Sequence, residues 1–204
     1  MFKRMSILEK RPGDDPAFFS HHWQERHGPL VARLPAIRSY VQNHVEAVYE
    51  PAPFRISGIV ELGFDDATAM EKAFTAETVR AVRADEPQFL GNTTGYVIGA
   101  SSIRMAEEQG KLIVLAAHDG DRAGLEPIET ALRRLPGFVQ SIRDDVASTI
   151  PRPGSEGASQ RVDSFFHLYF SDVAGADRAA LQIAAMSDGT AKLGIVRVRT
   201  VRIV

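Results

Sequence analysis

The two halves of the chain contain the same short sequence pattern, and this repeat restricts the folds that the chain can adopt. The two copies align without a gap as Leu34-Pro35-x-Ile37-x3-Val41-x-Asn43-x-Val45 and Leu135-Pro136-x-Phe138-x3-Ile142-x-Asp144-x-Val146. Each copy begins where a predicted helix ends and continues into an alternating segment that is typical of a strand. A chain with such a repeat is expected to consist of two similar structural units.

Each half predicts the element order β-α-β-β-α-β, which is that of a split, ferredoxin-like unit. In the first half, the predicted strands cover residues 2–10, 37–45, 56–64 and 96–103, with a helix after each of the first and third strands. In the second half, we predict strands over residues 111–117, 138–146, 162–170 and 195–204 and helices over 125–135 and 176–186. We therefore expect two domains, residues 1–107 and 108–204, with the junction near residues 106–110.

The expected fold class is α+β. Both helices of such a unit cover one face of its sheet, and the other face must be covered by a partner. The second half of the same chain is the nearest partner, so we predict two tandem ferredoxin-like units whose antiparallel sheets pack face to face as a dimeric α/β barrel. A second copy of the chain could make the same contact, which leaves a homodimer possible.

The first helix carries most of the candidate chemistry. Asp15 is a predicted N-cap, and Pro16 suits the first helical position. The apolar stripe that follows at three- and four-residue steps contains Phe18, Phe19, His22, Trp23, His27 and Leu30. We expect Gly28-Pro29 to interrupt the helix after His27, which would place His27 at a helix C-terminus. His22 and His27 are five residues apart and are expected to face different directions.

Alternation along the strands predicts which side chains face the barrel interior. The predicted interior residues are Tyr40, Gln42, His44, Glu61, Arg143, Asp145, Phe165, His167 and Tyr169. Glu61 and His167 occupy equivalent places in the two halves, so we predict a hydrogen bond or ion pair between them. Asn43 is expected on the helix side, where its amide needs a partner such as His27, His22 or Trp23. The interior is either a ligand cavity or a satisfied interface between the halves.

Composition excludes several classes of function. The formal net charge is −2, without long blocks of one sign, which argues against nucleic acid and membrane partners. The absence of cysteine excludes disulfides, thiolate nucleophiles and sulfur-ligated metals. No apolar run is long enough for a signal segment or a membrane span, so we expect a soluble, cytoplasmic protein. No metal-ligand spacing or glycine-rich nucleotide motif is present, and no metal or cofactor is predicted.

Several motifs in the first half resemble the EthD family of the dimeric α/β-barrel superfamily. They are Phe19-x3-Trp23-x3-His27-Gly28-Pro29-Leu30, then Leu34-Pro35, Tyr40-Val41-Gln42-Asn43-His44 and Asp85-Glu86-x-x-Phe89. The second half keeps Leu135-Pro136 but has no counterpart of Trp23 or His27. The resemblance implies a pocket for a small apolar or aromatic molecule, in a superfamily that includes cofactor-free monooxygenases, lactone isomerases and polyketide dehydratases or decarboxylases.

Two histidines are the candidate catalytic residues. The helix dipole would favour a charged His27, as a general acid or a cation beside an enolate, and His44 could act as a base or proton shuttle. The alternatives are that His27 only caps its helix, that His44 is a satisfied interface histidine and that Trp23 is core. The candidate substrate-binding residues are His22, Trp23, Tyr40, Gln42, Asn43, Glu61 and His167.

These features predict an EthD-like enzyme that performs cofactor-independent acid–base chemistry on a hydrophobic carbonyl or phenolic metabolite. The reaction could be an isomerisation, a dehydration or decarboxylation, or a monooxygenation. One alternative is a non-catalytic protein that binds a metabolite or assists a degradation pathway. Another is an oxidoreductase that uses oxygen or haem.

Overall fold

The computed structural model of the chain describes residues 1–50, 54–103, 110–118, 130–132, 134–150, 160–186 and 191–204. The first half contains the strands β1 (Phe2–Lys10), β2 (Ser39–Glu50), β3 (Gly58–Phe64) and β4 (Leu90–Ala100). Its helices are α1 (Pro16–His22), α2 (Gly28–Val31), α3 (Ala67–Ala73) and α4 (Arg80–Asp85), with a π-helical segment over Trp23–His27 and a 3-10 turn over Glu86–Gln88. The second half contains β5 (Gly110–Ala117), β6 (Phe138–Asp145), β7 (Ser148–Ile150), β8 (Ser164–Phe170), α5 (Val173–Met186) and β9 (Lys192–Arg202).

The predicted start of the first helix is confirmed by its cap, and the second helix of the first half has a similar cap. The Asp15 carboxylate accepts a hydrogen bond from the Ala17 amide at 2.9 Å, and Pro16 occupies the first turn of α1. The Asp66 carboxylate accepts a hydrogen bond from the Ala69 amide at 2.7 Å at the start of α3. Each cap satisfies an amide that a helix start leaves without a partner.

The nine strands within the described residues belong to one sheet, in the order β6-β8-β5-β9-β2-β3-β1-β4-β7. The two halves meet where β9 pairs antiparallel with β2 and where β7 pairs antiparallel with β4. Only Val146 and Ala147 separate β6 from β7 along the chain, although these strands stand at opposite ends of the sheet order. One continuous segment therefore supplies both ends, which requires the sheet to curl back on itself.

The α+β class and the antiparallel strands are confirmed, but the prediction of two separate, facing sheets is corrected. Hydrogen bonds join the strands of both halves into one curled sheet. The physical reason is that an unpaired strand edge leaves amides and carbonyls without partners, and pairing β2 with β9 and β4 with β7 satisfies them. The predicted junction at 106–110 and most of the predicted helix over 125–135 lie outside the described residues.

Three apolar clusters fill the molecule. One lies between the first-half helices and the sheet and includes Phe19, Trp23 and Leu62. Another lies under α5. The third occupies the sheet face that the helices leave uncovered, and it joins side chains of both halves, including Met5, Ile7, Ile59, Ile113, Leu115, Phe165 and Val196. Within the described ranges, no helix has the length and apolar character needed to cross a bilayer.

The predicted side-chain directions are confirmed on β3 and β8 but wrong on β2 and β6. Tyr40 packs in the helix-covered cluster, whereas Asn43 donates to the Glu61 carboxylate at 2.9 Å on the opposite face. The predicted partners of Asn43 in the first helix are therefore wrong. On β6, Asp144 is the inward residue, and the half-buried Arg143 lies over the ring of Phe166 on the helix side. The reason is that β2 is buried on both faces, so apolar residues do not mark one side.

Candidate functional site

The helix after β1 does not stop at Pro29. It passes through the π-helical segment Trp23–His27, in which the Gly28 amide donates to the carbonyl of Trp23, five residues earlier. Pro29 then stands in the first turn of α2, where its missing amide costs no hydrogen bond. The predicted interruption after His27 is thus wrong, and His27 is not at a helix C-terminus.

The π-helical turn brings His22 and His27 to the same side of the helix. One turn of a π-helix closes over five residues, so the expectation of different directions, which assumed an α-helix, is wrong. Both rings contact Asp85, the last residue of α4. His27 Nδ1 lies 2.9 Å from Asp85 Oδ2, and His22 Nε2 lies 3.1 Å from Oδ1. Phe89 packs against both imidazoles, with ring centroids 4.9 Å apart in each case.

The contact with Asp85 fixes the chemistry of the His27 ring. A carboxylate only accepts hydrogen bonds, so Nδ1 of His27 carries the proton and, in the neutral ring, Nε2 carries a lone pair. Burial lowers the pKa of His27 below its ordinary value, and the hydrogen bond and charge of Asp85 only partly offset this. The ring is therefore neutral at pH 7, contrary to the expected imidazolium, and is suited to accept a proton.

A cavity of about 410 Å³ adjoins His27. It lies between the first-half helices and the helix-covered face of the sheet, so it is the helix–sheet cleft and not the interior of the curled sheet. Among the described residues of its wall, the apolar ones are more numerous, and the polar ones are Arg4, Ser6, His27, Tyr40, Arg83, Glu86 and Thr93. A cavity of this size, with an apolar surface and several polar groups, is typical of a small-molecule site.

His44 lies behind the cavity wall, in a chain of hydrogen bonds that ends at Tyr40. Gln42 donates from Nε2 to the Tyr40 hydroxyl at 2.7 Å, and its Oε1 lies 3.0 Å from His44 Nε2. His44 Nδ1 lies 2.7 Å from the Ser20 hydroxyl. Because Gln42 Oε1 can only accept, His44 Nε2 carries the proton and Nδ1 accepts from Ser20. Burial, with a smaller effect of the Arg199 charge, lowers the pKa of His44 to about 4.

Trp23 contacts both Gln42 and His44 in this chain of hydrogen bonds. It is fully buried, its indole packs on His44 with ring centroids 4.4 Å apart, and its carbonyl accepts a hydrogen bond from Gln42 at 3.1 Å. Trp23, Gln42 and His44 do not line the cavity, whereas Tyr40 does.

The remaining predicted residues, Asn43, Glu61 and His167, lie together on the uncovered face of the sheet. Glu61 and His167 are neighbours, as predicted, with His167 Nδ1 3.5 Å from Glu61 Oε1, but Nδ1 has no hydrogen-bond partner among the described residues. Glu61 also forms ion pairs with Lys3 at 2.7 Å and Lys111 at 2.9 Å. These residues are buried and are separate from the cavity.

Opposite charges set the protonation of this cluster. Burial alone would raise the pKa of Glu61, but His167, Lys111 and Lys3 together hold it well below its ordinary value. Burial lowers the pKa of His167, which is 3.0 Å from Asp144 through Nε2. The cluster joins side chains of both halves, and its geometry is that of an internal ion-pair network.

Sequence reasoning gave no role to two residues of the cavity region. Asp85 belongs to a motif that carried the family resemblance, but its distance from His27 along the chain concealed their contact. Arg4 lies on β1 and lines the cavity. The only signal for Arg4 was a second consecutive cation in a strand that is otherwise mostly apolar.

Comparison with protein families places this site within a known type of domain. Residues 11–93 match the family model described as the EthD domain. This part of the chain is similar to an EthD domain. The resemblance predicted from the Trp23, His27 and Pro29 motif is thereby confirmed, and the EthD domain includes His22, His27 and Asp85.

Three solved structures share the fold of the whole chain, including the part beyond the EthD domain. An anthrone oxidase-like protein has 10% identity and a TM-score of 0.60, over 99% of this chain and 93% of its own. A putative monooxygenase from Fusobacterium nucleatum has 11% identity and a TM-score of 0.55, over 98% and 93%. A putative chlorite dismutase has 10% identity and a TM-score of 0.53, over 98% and 95%. No curated protein matches the chain by sequence.

Proposed function

We propose that the EthD domain is an acid–base enzyme that moves a proton on a small, hydrophobic carbonyl or phenolic molecule without a cofactor. The observation that carries this proposal is the pairing of His27 with Asp85 at the wall of the cavity. A neutral histidine whose Nδ1 is held by a carboxylate has the arrangement of a general base. The match to the EthD domain and the apolar cavity wall support the same conclusion.

In the proposed reaction, His27 Nε2 removes a proton from a carbon beside the ligand carbonyl, or from a phenolic hydroxyl. The electron pair passes to the ligand oxygen, and the proton charges the imidazole. Asp85 stabilises the imidazolium through Nδ1. Return of the proton to another carbon completes an isomerisation, and loss of a neighbouring group completes an elimination. A positioned base contributes about 10² to 10⁴ in rate.

His44 is proposed to position Tyr40 through Gln42 and not to exchange protons with the ligand. Both of its ring nitrogens are engaged, and its lowered pKa keeps it neutral. Asn43, Glu61 and His167 are proposed to hold the two halves together. His22 is proposed to orient Asp85, which it contacts through Nε2 without lining the cavity.

The finer architecture is also a proposal. We infer that residues 1–107 and 108–204 are tandem ferredoxin-like units whose sheets close a barrel within one chain. The strand orders β4-β1-β3-β2 and β9-β5-β8-β6 within the single sheet support this. The equivalent positions of Asn43 and Asp144 in the repeated motif also support this inference.

The test uses 2-tetralone, a small bicyclic ketone with acidic protons beside its carbonyl. Exchange of these protons for deuterium is followed by NMR, without oxygen, in the presence of the native protein, His27→Gln or the control His21→Gln. His21 is exposed on the same helix. We expect the native protein and His21→Gln to accelerate exchange equally and His27→Gln to lose at least 100-fold of this rate. Equal rates for native protein and His27→Gln would contradict the proposal.

The names of two fold neighbours, the anthrone oxidase-like protein and the putative monooxygenase, favour a second candidate function, which is oxidation of the ligand by molecular oxygen. The same base would remove a proton from a carbon of the ligand, and the carbanion would reduce oxygen and combine with it as a hydroperoxide that takes up the proton. Loss of water from the hydroperoxide would then leave a carbonyl group. Oxygen consumption with anthrone as the probe, lost in His27→Gln, would support this reaction. Tight binding of a ligand that is recovered unchanged, with no exchange and no oxygen uptake, would indicate a binding protein.

A further inference from the structure

Arg4 brings a positive charge to the wall of the cavity that His27 adjoins. It stands on β1 and lines the cavity. Its guanidinium carbon lies 3.8 Å from the centroid of the Phe74 ring, which is the geometry of a cation–π contact. A guanidinium that lies over a ring face keeps its N–H donors at its own edge, where they can still form hydrogen bonds.

The donors of Arg4 are not all satisfied. Its Nε is buried and, among the residues that the structure describes, has no hydrogen-bond partner. A buried donor on a charged group is costly to leave unpaired. Gly95 also lines the cavity, and a Cβ at this position would lie 3.2 Å from Arg4 Nη2. The absence of a side chain at Gly95 therefore leaves room for the guanidinium.

The described part of the cavity lining carries more positive than negative charge. Within it, the ionisable residues are Arg4, Arg83, Glu86 and the neutral His27, so two cations accompany one carboxylate. Burial lowers the pKa of Arg4 to about 10, an effect partly opposed by the charge of Glu86 and increased by that of Arg83. Arg4 consequently remains charged at neutral pH.

We propose that Arg4 binds a carboxylate of the ligand, which makes the ligand of this cavity an apolar or aromatic organic acid. The two terminal N–H groups of a guanidinium, one on Nη1 and one on Nη2, form a fork that matches the two oxygens of a carboxylate. The ring system of the ligand then packs on the apolar wall beside His27. This inference rests on the proposed function in that it assigns the ligand of the same cavity.

The test compares 2-naphthoate with 2-naphthamide, which has the same ring system and no charge. Binding to the whole chain is measured by isothermal titration calorimetry at pH 7.5. We expect the native protein to bind 2-naphthoate at least tenfold more tightly than 2-naphthamide, because a charged, forked hydrogen bond is stronger than a neutral one. Arg4→Met should reduce this preference to less than twofold, and Arg4→Lys should retain part of it.

Two further variants make the test specific. Arg83→Met removes the exposed cation of the same cavity and should keep most of the preference. His27→Gln should keep the preference while losing deuterium exchange, which separates failure of the Arg4 assignment from failure of the proposed chemistry. Equal affinity of the native protein for the two probes would overturn the inference, as would an unchanged preference in Arg4→Met.

Discussion

Nδ1 of His167 on β8 lies 3.5 Å from Oε1 of Glu61 on β3, and these two strands occupy equivalent places in the two halves. Lys3 and Lys111 complete an ion-pair network around Glu61, and Asp144 pairs with His167 and with Lys3. The network lies on the sheet face where the side chains of the two halves meet. Its charges are buried, and each therefore depends on its partners.

We predict that Glu61→Gln strongly destabilises the protein. The substitution leaves Lys3 and Lys111 buried with less negative charge, and breaking a buried pair costs about 3–5 kcal/mol. The free energy of unfolding is measured by urea titration at pH 7. Asp65→Asn is the control, because Asp65 pairs with Arg38 on the surface, where solvent screens the two charges and the pair contributes little. A loss of less than about 1 kcal/mol in Glu61→Gln would show that the network does not contribute as described.

His44 should make the stability of the protein depend on pH. Its pKa is about 4 in the folded state and about 6.5 in the unfolded state. As the pH falls below 6.5, the unfolded chain takes up a proton that the folded protein does not, so stability decreases until about pH 4. Between pH 7 and pH 5 this group accounts for a loss of about 2 kcal/mol.

The measurement is urea unfolding of the native protein and of His44→Gln at several pH values. The loss of stability between pH 7 and pH 5 should be smaller in His44→Gln by roughly that amount. His21→Gln is the control, since His21 is exposed and should leave the pH dependence unchanged. Parallel curves for the native protein and His44→Gln would contradict the lowered pKa.

Gly58 should be required for the packing of Trp23. A Cβ at Gly58 would lie 2.4 Å from the indole of Trp23, so Gly58→Ala must displace the ring. Overpacking of this kind costs about 1–3 kcal/mol. Gly175→Ala in α5 is the matched control, because its Cβ would meet no atom closer than 3.4 Å and alanine favours a helix. Equal thermal stabilities of the two variants would show that Trp23 has room to move.

Asp85 should position and tune His27. Exchange depends on neutral His27, so the rate falls as the pH drops through the pKa of His27, which lies below 6.5. The charge of Asp85 raises that pKa, and Asp85→Asn should therefore shift the acid limb of the rate profile to lower pH. The His27 ring is also less well oriented in Asp85→Asn, which should lower the exchange rate on the high-pH plateau by about tenfold or more. A lower plateau with an unshifted limb would argue against direct coupling of the two side chains.

Sequence patterns predicted the element order of the first half and the inward direction of Glu61 and His167. They failed on β2, because both faces of that strand are buried and apolar alternation carries no direction there. The polar residues of the repeated motif indicate the inward face of β2 and β6 better than the apolar residues do. Asn43 and Asp144 occupy equivalent places in the repeat, and both lie in the ion-pair network.

The site itself was less predictable. The spacing of His22 and His27 was interpreted with α-helical geometry, and a π-helical turn has no sequence signature that would have corrected it. The contact of His27 with Asp85 depends on how α4 packs against this turn, which is a tertiary relationship. Arg4 became a candidate only once the cavity beside β1 was known.

The protonation state of the His27 ring decides whether this residue can act as the base of the cavity. It can be measured by NMR of the protein with nitrogen-15 in its histidines at pH 7, with His27→Gln used to assign the signals. We predict a neutral ring that carries its proton on Nδ1, has a free Nε2 and titrates below pH 6.5. A proton on Nε2, or a charged ring at pH 7, would contradict the role of His27 as the base of this cavity.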